Sequence, residues 1–130
     1  MTKLATYLAV AIPFVSIDLV WLKIMGDRLY RPTLGDILTS DPRMVPAAIF
    51  YAIYPLGLLA FAVVPAQDVR DASRALLSGL VFGFFTYATY DLTNQASLRN
   101  WSTTLTVVDV AWGAALAGFS AYIGYMVATR

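Results

Sequence analysis

Three aspartates, Asp18, Asp91 and Asp109, lie inside or at the edge of apolar stretches of membrane length. A carboxylate in hydrocarbon costs roughly 2.5–3.5 kcal/mol on insertion scales, so it persists where it pairs, faces a cavity or does chemistry. The residues around these three are aromatic and polar at helical spacing. Tyr87, Tyr90, Asp91 and Asn94 recur at i, i+3, i+4, i+7, which places them on one helix face. Asp18 and Trp21 are three apart, as are Tyr51 and Tyr54, and Thr106, Asp109 and Trp112 repeat that step. Carboxylates among phenols, indoles and an amide can fix a polar head group. They can also move a proton, one carboxyl acting as acid and another as base.

The residue inventory narrows the chemistry. The chain has no histidine, cysteine or glutamate. Imidazole haem ligation, the commonest zinc sites and the Ser-His-Asp triad are therefore absent, as are disulfides and thiolate chemistry. No metal motif is recognisable, and only Asp, Ser or Thr offers a nucleophile. The net charge is +1, and no basic patch is interleaved with aromatics, which argues against nucleic acid as a partner.

The elements that must hold these residues are membrane helices. Hydrophobic residues are 59% of the chain and charged residues 13%, against roughly 45–50% and 25% in soluble domains. A spanning helix needs about 20 mostly apolar residues. The hydropathy pattern predicts an all-α integral membrane bundle of four helices, at 4–25, 44–66, 75–94 and 105–128, forming a single domain over residues 1–130. The first stretch is too long in its apolar run for a signal peptide and has no small-residue cleavage pattern after it. Within the connection 23–43, Asp27 to Leu38 reads as a short interfacial helix broken by Pro32 and Gly35. Residues 67–74 read as a tight polar turn.

Four helices put both termini on one side, here side A, and the first and third loops on side B. Side A carries Lys3, Arg70, Arg74 and Arg130; side B carries Lys23, Arg28, Arg31, Arg43 and Arg99. That near-equality assigns no orientation by the positive-inside rule. Relative depth is more informative. Asp18 is late in an A-to-B helix and Asp91 ends another, while Tyr51, Tyr54 and Asp109 are early in B-to-A helices. All fall in the side-B half, so the polar stripes are expected to face inward there.

Plainer readings accompany several of these residues. Tyr and Trp line membrane interfaces in any such protein, which suits Tyr7, Tyr122 and Tyr125, and suits Trp101 as well as a site role does. Asp91 can cap the third loop, and Asp18 with Asp109 can be a structural hydrogen-bonded pair. Asp-x-x-Trp occurs twice, at Asp18–Trp21 and Asp109–Trp112, in helices of opposite direction, a faint sign of an inverted repeat. Gly79 with Gly83 and Ala114 with Gly118 are small-residue faces for packing, within the bundle or between copies in a homo-oligomer. Pro13 and Pro55 fall inside spans, where a proline can kink a helix.

The run Tyr90-Asp91-Leu92-Thr93-Asn94 and the segment Val107-Val108-Asp109-Val110-Ala111-Trp112-Gly113 are distinctive. With Asp18-Leu19-Val20-Trp21, Ala48-Ile49-Phe50-Tyr51 and Phe61-Ala62-Val63-Val64-Pro65-Ala66, they resemble a bacterial family of small four-helix inner-membrane proteins of unknown function. The resemblance covers almost the whole chain and implies a multi-pass protein of the cell inner membrane. It places the family's polar motif on Tyr90, Asp91, Thr93, Asn94, Asp109 and Trp112, and it implies no reaction.

Three functions suit such a site. The first is a binding protein, or an enzyme, for a lipid or other amphiphile. Asp18, Trp21, Tyr51, Tyr54, Tyr87, Tyr90, Asp91, Asn94, Asp109 and Trp112 would be its ligand-binding residues, and the same aromatic walls would accept a quinone or pigment. Binding fits these residues better than turnover. The second is a structural or assembly subunit whose polar stripes are interhelical hydrogen bonds. The third is a small proton-coupled transporter, which matches in size, although a site displaced from the midplane counts against it.

Overall fold

The computed structural model describes all 130 residues, Met1–Arg130, and contains four long helices and no strand. They are α1 Lys3–Ile37, α2 Met44–Val69, α3 Ala72–Ser97 and α4 Thr103–Ala128, each long and apolar enough to cross a membrane. Three of the four starts are capped by a side chain. The Thr2 hydroxyl accepts from the Ala5 amide at 3.1 Å, Asp71 from Ser73 at 3.0 Å and Ser102 from Leu105 at 3.1 Å. Each cap satisfies an amide that has no partner inside its helix.

The first helix differs from its expected bounds. Its regular α-helical part ends at Met25, as expected, but helical turns continue to Ile37 and take in the segment read as a separate interfacial helix. Proline is the physical reason. An α-helical Pro32 would clash with a carbonyl one turn back and leave it unpaired. A π-helical turn at Gly26–Tyr30 precedes Pro32 and shifts the register before it. The same device recurs in α2, where a π turn at Leu59–Val63 precedes Pro65. The last turn of α1 opens at Gly35, which adopts φ 53° and ψ −118°, a conformation open to glycine and not to residues with a Cβ.

The helices alternate in direction around the bundle, and α4 is the most enclosed, flanked by α3 and α1. The α3–α4 seam is built from small residues. A Cβ on Gly79 would come within 2.8 Å of the Ala117 carbonyl oxygen, and one on Gly83 would strike the Gly113 carbonyl. Of the two uses expected for these small-residue faces, packing within the bundle is the one seen here.

Backbone-bonded hydroxyls keep the polar residues of α3 compatible with lipid. Thr89 donates to the Phe85 carbonyl, Thr93 to that of Thr89 and Ser97 to that of Thr93. The apolar core, around Val10, Phe14, Leu58, Leu116 and Ala121, fills the side-A half. The two side-B loops meet, because the Asn100 amide donates to the Leu34 carbonyl at 3.0 Å and to Asp36 at 3.1 Å. Beneath them Leu34, Trp101 and Leu105 form a small apolar cap.

Candidate functional site

Between the apolar core and that cap lies a layer of carboxylates, phenols and indoles. Asp18 of α1 is 6% exposed and bonded by two other helices. Tyr51 of α2 donates to one carboxylate oxygen at 2.7 Å, and the Trp112 indole of α4 donates to the other at 3.0 Å. Both oxygens are satisfied by neutral donors.

Asp109, 7% exposed, accepts from the Tyr30 hydroxyl, which itself accepts from the Trp21 indole at 2.9 Å. The Trp21 and Trp112 rings stack at 4.1 Å with 6° between planes. The two Asp-x-x-Trp copies therefore interlock across antiparallel helices. Each tryptophan serves the other copy's aspartate, Trp112 directly and Trp21 through Tyr30. This cross-pairing explains the repeated spacing without requiring a duplicated half.

Asp91 differs from both. It is fully buried, its carboxyl lies within hydrogen-bonding range of the Asp109 carboxyl so that a proton on one can bridge the two, and no other group of the chain bonds either of its oxygens. No basic side chain enters this layer. The one ion pair in the protein, Arg31 with Asp27 at 2.9 Å, is exposed outside it. The three aspartates do not converge on a single point with metal-ligand geometry.

The remaining expected residues divide. Tyr54 is buried, stacks on Phe14 at 4.7 Å and shares a 2.8 Å hydrogen bond with Thr86. Tyr87 is half-buried, meets Tyr54 edge-on at 6.0 Å and lies over Gly113, whose missing Cβ makes room for the ring. Asn94 is half-buried on the same helix near Tyr90. Tyr90 turns away from the layer: it is 57% exposed and meets Trp101 edge-on at 5.7 Å. At about 100° per residue, Asp91 and Tyr90 cannot both point inward, and Asp91 takes the interior.

Sequence reasoning missed Tyr30, because it read that segment as lying beyond the first span. Nine residues from Trp21, Tyr30 would fall on the opposite face of a regular α-helix, about 180° away, and the intervening π turn brings it back. It also missed a second polar chain. The Trp101 indole donates to the Thr106 hydroxyl at 3.0 Å, which donates to the Gln95 side-chain oxygen at 2.7 Å. The Gln95 amide continues to Thr103 at 2.9 Å. Buried Trp101 is a member of this chain, which pins the third loop to α3 and α4.

An open groove of about 360 Å³ borders the layer, lined by Ser16, Ile17, Val20, Trp21, Ile24 and Trp112. Its walls are apolar, and the stacked indoles separate it from the carboxylates. Such a surface accepts a hydrocarbon chain, and the layer behind it accepts hydrogen-bond donors.

No curated protein and no solved structure matches the chain. The family of predicted membrane proteins designated DUF2177 matches residues 3–126. The interlocked Asp-x-x-Trp segments and the Tyr90–Asn94 run lie within that match, and the chain belongs to this family of membrane proteins.

Proposed function

We propose that this protein binds an amphiphile whose head donates hydrogen bonds or carries positive charge, with binding rather than turnover as its task. The observation that carries this reading is Asp91. A buried polar group without a partner is costly, of order 1–3 kcal/mol, and more when charged. Its carboxyl lies against that of Asp109, where one shared proton can join the two; no other donor of the chain and no ion pair reaches the Asp91 oxygens, and a ligand donor would complete them. The groove along α1 supports the assignment of an amphiphile, since it offers a hydrocarbon tail a path beside the indoles that hold Asp18 and Asp109. The family resemblance supports a cell inner-membrane location.

The indole pair makes the reading testable by fluorescence. A long-chain alkylamine titrated into the purified protein should shift tryptophan emission at far lower concentration than a fatty acid of equal length. Asp91→Asn should abolish that difference. Equal responses to amine and acid, or an unaltered response in the variant, would remove the basis for the assignment.

A structural reading has its own support in Asp18, which three helices share and whose oxygens are both satisfied. We assign Asp18 to holding the bundle and Asp91 with Asp109 to receiving the ligand.

A further inference from the structure

A second groove lies toward side A, away from the carboxylate layer and independent of the amphiphile reading. Leu77, Val81 and Phe85 of α3 form one wall and Phe61 of α2 the other. The three α3 residues repeat every four positions and make a straight apolar stripe. All are exposed, Phe85 by 64%.

The groove has a charged end and a closed end. Arg74, in the first turn of α3, lines its outer rim, and Ser78 adds a hydroxyl one turn deeper. The Arg74 guanidinium has no ion-pair partner. Beside it, one oxygen of the Asp71 carboxylate is bonded by the Ser73 amide at 3.0 Å and the Ser73 hydroxyl at 2.7 Å, and its charge lies near Arg74 without an ion pair between them. At the inner end the Thr86 hydroxyl is bonded to Tyr54 and to the Phe82 carbonyl, both at 2.8 Å, so no free polar group waits there.

Its length matches a lipid. From Arg74 to Thr86 the helix rises about 18 Å at ~1.5 Å per residue. One leaflet of a ~30 Å hydrocarbon core is about 15 Å deep. The groove therefore starts at head-group level and ends near the midplane.

We propose that this groove holds one anionic glycerophospholipid of the side-A leaflet, its phosphate on Arg74 and one acyl chain along Leu77, Val81 and Phe85. The test is native mass spectrometry of the full chain in detergent, titrated with phosphatidylglycerol or with phosphatidylcholine of the same chains. Wild type should bind one phosphatidylglycerol in preference to phosphatidylcholine. Arg74→Gln should reduce that preference about fivefold, the scale of one basic residue at an anionic leaflet. Leu77→Trp, which fills the groove from the lipid-facing side, should weaken both lipids. Arg43→Gln, on side B, should leave the preference intact. The proposal is overturned if wild type shows no preference, if Arg74→Gln retains it, if Leu77→Trp binds as wild type does, or if Arg43→Gln removes it.

Discussion

Replacing each buried aspartate by asparagine separates three residues that look equivalent in sequence. Asp18 uses both oxygens as acceptors, for Tyr51 at 2.7 Å and Trp112 at 3.0 Å. Asparagine offers one acceptor and one amide, so in either orientation a donor confronts a donor. Hydrogen bonds to charged groups contribute ~1.5–3 kcal/mol in folded proteins, whereas interhelical bonds in membranes average ~0.6 and reach ~1.7. Asp18→Asn should thus cost about 1–2 kcal/mol. Asp109 accepts from Tyr30, a bond that an asparagine oxygen keeps while its amide faces Asp91, so Asp109→Asn should match or exceed wild type. Asp91 has only the proton it can share with Asp109. Its asparagine would keep a hydrogen bond to Asp109, and the variant should match or exceed wild type. The assay is unfolding in mild detergent after bound lipid has been stripped, followed by circular dichroism and tryptophan emission together. Stripping matters because a ligand that binds only the folded protein adds stability by mass action. Finding Asp91→Asn the least stable of the three would refute this reasoning.

Other perturbations have equally definite outcomes. Gly83→Ala drives a methyl into the Gly113 carbonyl and to 2.7 Å from the Ala117 Cβ, and should cost ~1–3 kcal/mol by overpacking. Gly26→Ala meets nothing within 4 Å and should be neutral or gain up to ~1 kcal/mol from helix propensity; the same unfolding assay reads both. Tyr30→Phe leaves the Trp21 indole without its acceptor and Asp109 without its donor. It should lose about 1–2 kcal/mol and alter tryptophan emission, which an unchanged spectrum would contradict. At the exposed turn between α2 and α3, hydrogen bonds from Ser73 hold the Asp71 carboxyl below its ordinary 3.8. Its capping contribution is therefore complete above that value and is lost as pH falls through the lower folded value. The melting temperature of wild type relative to Asp71→Asn should decline only below about pH 4, and a decline near neutrality would show another group at work.

The sequence revealed what depends on composition and single-helix periodicity. Four spans, the termini on a common side and the burial of Asp18, Asp91 and Asp109 all follow from runs of apolar residues interrupted at costly positions. What depends on two helices at once was hidden. Trp112 lies beside Asp109 in its own helix, yet it bonds Asp18 across the bundle. Tyr30 was concealed by a π turn that no periodicity template contains. Tyr90 shares the i, i+3 pattern with Tyr87 but points outward, because a stripe four residues wide spans more of a helix than one neighbour covers. Gly79 and Gly83 were legible as a packing face. Their partner, the α4 backbone at Gly113 to Gly118, became visible only once the helices were assembled.

Asp91, bonded by no N–H or basic group of the chain, is proposed to receive the donor of a bound amphiphile. Native mass spectrometry of wild type and Asp91→Asn, both purified in mild detergent without stripping, tests this most directly when followed by extraction of whatever remains bound. Wild type should carry a defined adduct, an amphiphile with a donor-bearing or cationic head, that is missing from the variant although the variant is folded. An identical adduct on both proteins, or a bare chain mass for both, would contradict it and leave the carboxylate layer a structural feature of the bundle.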